Sequence, residues 1–388
     1  MLGRFLGVQT KLSLCSPLIR YFSRRSVGIV GMPNIGKSTL FNALTETQKA
    51  EAKNFPFCTI EPNVGIVSVP DPRLDQLALT AKSKRCIRTQ IEFIDIAGLI
   101  KGASEGKAQQ GLGNKFLANI RSVSCIIQVI RCFDDPDICH VDGTCDPIRD
   151  IETIESELLL ADLEVINRKK LKKKNFSQDE QMFMDTLNKL ENALVEGTPI
   201  HGLDLTLKEK DLIKQLGFLT TKKSIYVCNI GEDDLPDGNK NFELVQQFAK
   251  SRNMIALPVC AKLESEASML DEETRSTILD TYGLKETGLQ KIIKSSYDLL
   301  NLITFYTVGP EETRAWNVKK DSLVPQAAGE IHTDMENGFI KADTVNYADL
   351  LSFNCDEDAA RKAKKLRPEG PKYVVQDGDV FHFKFKAK

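Results

Sequence analysis

The stretch GMPNIGKST at 31–39 has the residue types and the spacing that bind the phosphates of a nucleotide. It fits Gly-x-x-x-x-Gly-Lys-Ser, the P-loop spacing, which begins at Gly31 and ends at Ser38. The glycines let backbone amides turn towards the phosphates, the lysine reaches the β and γ phosphates, and the serine hydroxyl ligates Mg²⁺ at a helix N-terminus. The predicted nucleotide contacts in this loop are Asn34, Ile35, Gly36, Lys37, Ser38 and Thr39.

A second group of residues points to a nucleotide-dependent switch. Asp95 ends the apolar run IEFID, and Ile-Ala-Gly follows it, ending at Gly98. A carboxylate at this place holds Mg²⁺ through water, and the glycine amide contacts the γ phosphate. Thr59 lies between the P-loop helix and this strand, where it can close over the metal when the γ phosphate is present. The predicted magnesium ligands are therefore Ser38, Thr59 and Asp95.

Base recognition departs from the usual guanine-binding pattern. Asn229-Ile230-Gly231-Glu232 stands where an ordinary GTPase has Asn-Lys-x-Asp. The aspartate of that pattern accepts two hydrogen bonds from guanine and repels adenine, whereas Glu232 is one methylene longer and can turn away. Ile230 lacks the lysine stem that lies along the base, and its backbone can read adenine. Asn229, Ile230 and Glu232 thus predict ATP binding; the alternative is GTP specificity carried by other groups.

Hydrolysis needs a group that orients the attacking water. Ras-like enzymes use a glutamine directly after Asp-x-x-Gly, and this chain has Leu99 there, which cannot polarise water. Gln128, in SCIIQVIRCF, can orient water through its amide but cannot act as a general base. The predicted catalytic residues are Lys37 and Gln128. The alternative is that Gln128 is a strand residue without a catalytic role.

Six apolar runs that alternate with helical patterns must position these residues. Such alternation predicts an α/β fold with a doubly wound, mostly parallel sheet. Runs such as SCIIQVI and SIYVCNI are nearly continuous hydrophobics, as in strands buried on both faces. Ligands bind at the carboxyl ends of such strands. The predicted strands are 27–30, 64–69, 91–96, 125–130, 224–230 and 254–259.

An inserted helical hairpin is predicted at about 148–217. Apolar residues recur there every three or four positions in two series, which indicates two amphipathic helices. Gly197 is expected to end the second helix in a left-handed conformation. The basic run RKKLKKK at 168–174 lies near the shared tip of the two helices. It is either a solvated tip or a contact for RNA or the ribosome.

The N-terminal segment 1–25 differs in composition from the rest of the chain. It contains basic residues among serine and leucine, and no acidic residue precedes Glu46. This composition is typical of a transit peptide and predicts import into the mitochondrial matrix. The alternative is a basic tail on a cytoplasmic protein. The basic residues are Arg4, Lys11, Arg20, Arg24 and Arg25.

Length and composition limit the number of domains and the kinds of partner, metal site and membrane contact. With 388 residues and 41% hydrophobic content, two or three domains are expected. The 52 basic and 54 acidic residues nearly balance, so any contact with nucleic acid must be local. The 10 cysteines contain no Cys-x-x-Cys pair, and we expect reduced thiols without a metal. No apolar run reaches the roughly 18 residues that a membrane span needs, so we expect no integral membrane contact.

The motifs together resemble the Obg-like ATPases of the YchF type, within the translation-factor-related P-loop GTPases. The resemblance covers nearly all of the chain after the N-terminal segment 1–25. It is carried by GMPNIGKSTLFNALT, NFPFCTIEPNVGIV, VPDPRLDQL, DIAGLIKGA, QGLGNKFLANIR, the NxxE run at 229–232 and YVVQDGDVFHFKF. The resemblance implies a nucleotide-binding domain at 26–301 and a C-terminal β-grasp (TGS) domain at 302–386. It also implies a histidine where this chain has Gln128.

The resulting expectation is a mitochondrial Obg-like ATPase that acts on the ribosome or on translation. It would bind and hydrolyse ATP, with GTP as an alternative, and would use Mg²⁺ in a nucleotide-dependent switch. Its expected partners are the nucleotide and the ribosome or ribosomal RNA, and it is expected to be a monomer or weak dimer. Two alternatives stay open: a GTP-specific GTPase of the same fold, and a nucleotide-gated ribosome-binding or RNA-binding module that does not hydrolyse.

Overall fold

The computed structural model describes residues 25–49, 63–96, 110–135, 143–170 and 177–386. Thr59, Gly98 and Leu99 lie outside these ranges, as do residues 1–24 and most of the basic run at 168–174. No helix of the described ranges is long and apolar enough to cross a membrane.

The first sheet contains six strands in the order β2-β4-β1-β5-β6-β7. Neighbouring strands are parallel except β2, which runs antiparallel to β4 at the edge. Every residue of the central strands β1 and β5 is buried, as their continuous apolar runs predict. The predicted α/β, mostly parallel sheet is confirmed, and all six predicted strands belong to it. The first seven strands are β1 (Ser26–Val30), β2 (Val64–Ser68), β3 (Cys86–Ile87), β4 (Gln90–Asp95), β5 (Cys125–Arg131), β6 (Ser224–Asn229) and β7 (Ala256–Val259).

Ten helices of the described ranges precede the eighth strand. Several begin at a side chain that accepts a hydrogen bond from the first turn, as Asp146 and Ser177 do. These helices are α1 (Lys37–Lys49), α2 (Pro72–Thr80), α3 (Gln110–Ser122), α4 (Pro147–Lys169), α5 (Gln178–Val195), α6 (Leu207–Ile213), α7 (Lys240–Ser251), α8 (Ala261–Ser268), α9 (Glu272–Thr281) and α10 (Gly288–Leu299).

Helices α4 and α5 are the two amphipathic helices that the periodicity predicts, and they pack against each other. Gly197 has φ of 78°, which confirms the expected left-handed residue after α5. Asp162 of α4 is fully buried and accepts hydrogen bonds from the backbone amides of Leu219 and Thr220, both at 2.8 Å. These bonds fix the base of the hairpin against the segment that leads into β6.

The second sheet lies in the C-terminal part of the chain and has the order β11-β10-β12-β8-β9-β3. Trp316 is buried on one face of it and stacks on Phe305, with ring centroids 6.4 Å apart. The elements that follow α10 are β8 (Leu302–Thr307), β9 (Thr313–Lys319), α11 (Val324–Ile331), α12 (Thr333–Asn337), β10 (Phe339–Asn346), α13 (Tyr347–Ser352), α14 (Glu357–Lys362), β11 (Arg367–Glu369) and β12 (Asp379–Phe385).

An early segment of the chain completes this second sheet and its core. Strand β3 pairs in parallel with β9. Leu74 and Leu77 of α2 are fully buried in a cluster with Tyr306, Ala315 and Val345 of the second sheet. Helical periodicity shows that α2 has an apolar face, but it does not show which part of the chain covers that face. Two regions that are far apart in sequence therefore share one core.

Replacing Leu77 with alanine tests this shared core. We expect Leu77→Ala to lower the free energy of unfolding by about 2–5 kcal/mol, because the side chain is fully buried. Leu79→Ala is the matched control, since Leu79 belongs to the same helix and is 81% exposed. Denaturant unfolding followed by the fluorescence of the single tryptophan, Trp316, measures both. Equal losses in the two variants would contradict the shared core.

Candidate nucleotide-binding site

The P-loop makes a tight turn between the end of β1 at Val30 and the start of α1 at Lys37. Gly36 has φ of 87°, and a Cβ atom there would lie 2.3 Å from Nδ2 of Asn229. A Cβ on Gly31 would lie 2.8 Å from the backbone carbonyl oxygen of Val129, which cannot move aside as a side chain can. Both positions therefore require glycine. The loop places the free amides of the α1 N-terminus at the carboxyl end of the sheet, where a phosphate binds.

The structure brings Lys37, Ser38 and Asp95 together. Strand β4 lies beside β1, with Asp95 opposite Ile29, so its carboxylate reaches the start of α1. Nζ of Lys37 donates to Oδ1 of Asp95, and Oγ of Ser38 lies 3.4 Å from Oδ2. The lysine and aspartate side chains are only 10% and 12% exposed. The Lys37 ammonium, which is suited to bind a phosphate, is thus paired with the Asp95 carboxylate, which is suited to hold a metal.

These donors suit Mg²⁺. A hydroxyl and a carboxylate are hard oxygen ligands, and magnesium in nucleotide sites takes few protein ligands together with water and phosphate oxygens. The described ranges contain no cluster of three or more His, Cys, Asp or Glu side chains that could hold a metal without other ligands. The Ser38 hydroxyl and the Asp95 carboxylate fit a magnesium ion that phosphate oxygens would also coordinate.

Asn229 connects the P-loop to the end of β7. Its Nδ2 donates to the carbonyl of Ile35 at 2.9 Å, and its Oδ1 accepts from the amide of Ala261 at 3.0 Å. The residue is 6% exposed, so both bonds are shielded from water. Sequence reasoning predicts Asn229 as a base contact and misses this structural role, because the adjacency of β6 and β7 is needed to see it.

Ile230 and Glu232, which follow Asn229, lie in different environments. Ile230 is 2% exposed and packs in a cluster with Ile130 and Phe242, and its amide donates to the carbonyl of Val259 at 2.9 Å. Glu232 forms an ion pair with Lys262, with 2.9 Å between Oε1 and Nζ. Sequence reasoning does not identify Lys262, which lies 30 residues away.

Gln128 lies on β5 opposite Val30, the residue before the P-loop. Its side chain is buried, and Nε2 donates to the carbonyl of Ile151 in α4 at 3.5 Å, the outer limit of a hydrogen bond. The described ranges therefore place the amide against the hairpin helix. Its predicted catalytic role stays a prediction, as do the roles of Thr59 and Gly98, which lie outside those ranges.

The fold and this site define a P-loop nucleoside triphosphatase of the GTPase type. A family model described as a 50S ribosome-binding GTPase matches residues 26–186, and one described as the C-terminal part of YchF GTPases, a protein of unknown function, matches 302–386. The chain belongs to the YchF family, because relatives of that name are 46–47% identical to it over 93% of its length.

Curated relatives and a solved structure agree with this assignment. The ribosome-binding ATPase YchF of Bacillus subtilis is 47% identical over 369 residues, which cover 93% of this chain and 99% of that protein. The protein of the same name from Escherichia coli O157:H7 is 46% identical over 364 residues, with the same coverage. The YchF GTPase of Schizosaccharomyces pombe superimposes with a TM-score of 0.84 at 36% identity, over 93% of this chain and 98% of that one.

Proposed function

We propose that this protein is an ATPase that binds MgATP in preference to MgGTP and acts as a nucleotide-dependent switch at the ribosome. Its bacterial relatives are named ribosome-binding ATPases, whereas the fission-yeast structure is described as a GTPase. The names therefore do not agree on the nucleotide. The observation that carries the proposal is the arrangement of residues 229–232.

Two features of this segment favour adenine. The carbonyl of Ile230 is an acceptor, which suits the 6-amino group of adenine and opposes the carbonyl oxygen that guanine has at the same place. Glu232 is paired with Lys262, so a cation already occupies a carboxylate oxygen that guanine would need as an acceptor. A site whose polar groups match one purine rejects the other, because the mismatch leaves buried polar groups unpaired.

Nucleotide binding would exchange partners within the site. A triphosphate would take the ammonium of Lys37, and Asp95, through water, and Ser38, directly, would then be the residues that hold Mg²⁺. Mg²⁺ offsets the charge of the β and γ phosphates when it is bound. Thr59 and Gly98, the predicted contacts around the γ phosphate, would respond to its presence. Lys37 is therefore paired with Asp95 in the nucleotide-free protein and would be paired with phosphate in the nucleotide-bound protein.

Catalysis is proposed to depend on Lys37 and Gln128. The long contact of Gln128 with Ile151 holds its amide only weakly, so the amide can turn to a water molecule. An amide orients water but removes no proton, and slow turnover is therefore expected without a partner.

Parallel titration with ATP and GTP under Mg²⁺, followed by phosphate release with and without ribosomes, tests the proposal. We expect tighter ATP binding, slow release alone and faster release with ribosomes. Gln128→Ala should lower release about tenfold and leave ATP affinity unchanged. Tighter GTP binding would refute the preference for ATP. ATP binding without release under either condition would favour the non-hydrolysing module.

We further propose that the protein is imported into the mitochondrial matrix and that its leader is removed before Arg25. Arg25, which the predicted transit peptide 1–25 includes, is 6% exposed and donates to the carbonyl of Asn317 and to Glu330, which supports a leader that ends before it. Incubation of the labelled full chain with energised mitochondria should give a shorter, protease-protected product. A full-length product that stays sensitive to protease would support the cytoplasmic alternative.

A further inference from the structure

Two loops that follow adjacent parallel strands flank the position expected for the purine. The first is 229–232, which begins at the last residue of β6, and the second is 260–262, which runs from the end of β7 into the first turn of α8. Asn229 joins both loops to the P-loop through its bonds to Ile35 and Ala261. The two loops therefore form one wall of the nucleotide site.

The ion pair between Glu232 and Lys262 joins the two loops that form this wall. The glutamate side chain is 31% exposed and the lysine side chain is 73% exposed, so the carboxylate is the more enclosed partner. The adjacent Glu232 carboxylate raises the pKa of Lys262, because it stabilises the charged ammonium. Glu266, one turn further along α8, is the other carboxylate that acts on this lysine.

The Glu232 carboxylate can distinguish guanine from adenine only when no cation is bound to it. Guanine presents the N1–H and 2-amino donors at this edge, whereas adenine presents the N1 lone pair. A free carboxylate therefore binds guanine and repels adenine. An ammonium bound to the carboxylate weakens both effects, because it occupies an acceptor oxygen and offsets the negative charge.

We propose that Lys262 is a specificity-determining residue, because it holds the Glu232 carboxylate away from the purine and so favours ATP over GTP. This inference rests on the proposed ATP preference and deepens it. It assigns selectivity to a residue outside the Asn-x-x-Glu segment. Lys262 acts through Glu232 and is thus a positioning residue.

The test compares ATP and GTP affinities of the full chain and of Lys262→Met under Mg²⁺. Methionine keeps an unbranched stem of similar length and removes the charge. We expect GTP affinity to rise and ATP affinity to fall, so that the ratio of the two dissociation constants changes by about tenfold in favour of GTP. Lys262→Arg keeps the cation and should keep the wild-type ratio.

Two further variants separate selectivity from structure. The double variant Lys262→Met, Glu232→Gln also removes the Glu232 carboxylate, and its ratio should return close to that of the wild type. Glu266→Gln removes the other carboxylate near Lys262 and should leave the ratio unchanged. An unchanged ratio in Lys262→Met, or equal losses for both nucleotides, would overturn the proposal.

The wild-type titration keeps this inference distinct from the proposed function. Tighter GTP binding by the wild type would refute the ATP preference. A shift of the ratio in Lys262→Met would still show that Lys262 controls selectivity. ATP preference in the wild type with no shift in Lys262→Met would refute the role of Lys262 alone.

Discussion

Lys37→Ala is expected to lower nucleotide turnover by about 100-fold or more and to weaken MgATP and MgGTP binding together. The ammonium lies at the start of α1, where it reaches the β and γ phosphates, and it acts in a site that is largely shielded from water. Phosphate release and calorimetric titration measure the two effects. Lys250→Ala, at an exposed lysine of α7, is the control and should change neither.

The same variant should also be less stable without nucleotide. It leaves the Asp95 carboxylate, 12% exposed, without its cation, which costs about 2 kcal/mol. Adding Asp95→Asn should recover much of that stability, because no unpaired charge remains, and should not recover turnover. Full turnover in Lys37→Ala would contradict the site. Restored turnover in the double variant would contradict the separate roles of the two residues.

Asn229→Ala is expected to lower the free energy of unfolding by about 3 kcal/mol and to weaken ATP and GTP binding by a similar factor. The substitution leaves two buried backbone groups, the Ile35 carbonyl and the Ala261 amide, without their side-chain partner. The P-loop then loses its attachment to α8. Thermal unfolding measures the first effect, and titration with each nucleotide measures the second.

Inorganic tripolyphosphate separates the two possible roles of Asn229. Its affinity should also fall in Asn229→Ala if the residue shapes the P-loop, and should not change if the residue contacts only the base. Asp162 is the matched control, because its buried side chain also bonds two backbone groups, the Leu219 and Thr220 amides at the base of the hairpin. Asp162→Ala should be destabilised and should keep its nucleotide affinity. Loss of affinity in both variants would contradict a specific role for Asn229.

Patterns that are local in sequence could be predicted. The P-loop spacing places Gly36 and Lys37 at a strand-to-helix turn, and the continuous apolar runs identify all six strands of the first sheet. Asp95 is recognised because a carboxylate follows one of these runs. In each case the information lies within about 15 residues, where hydrophobic periodicity and turn chemistry act.

Contacts between distant elements could not be predicted in this way. The pairing of Glu232 with Lys262, the double hydrogen bonding of Asn229, and the burial of α2 against the second sheet all depend on which elements become neighbours. Strand order and the choice of covering surface involve residues far apart in the chain, and no local spacing encodes them. The sequence by itself determined the phosphate-binding chemistry and the strands that carry it. The tertiary structure alone decided which side chains surround the base, because that wall is assembled from two loops that only the packing of β6 beside β7 brings together.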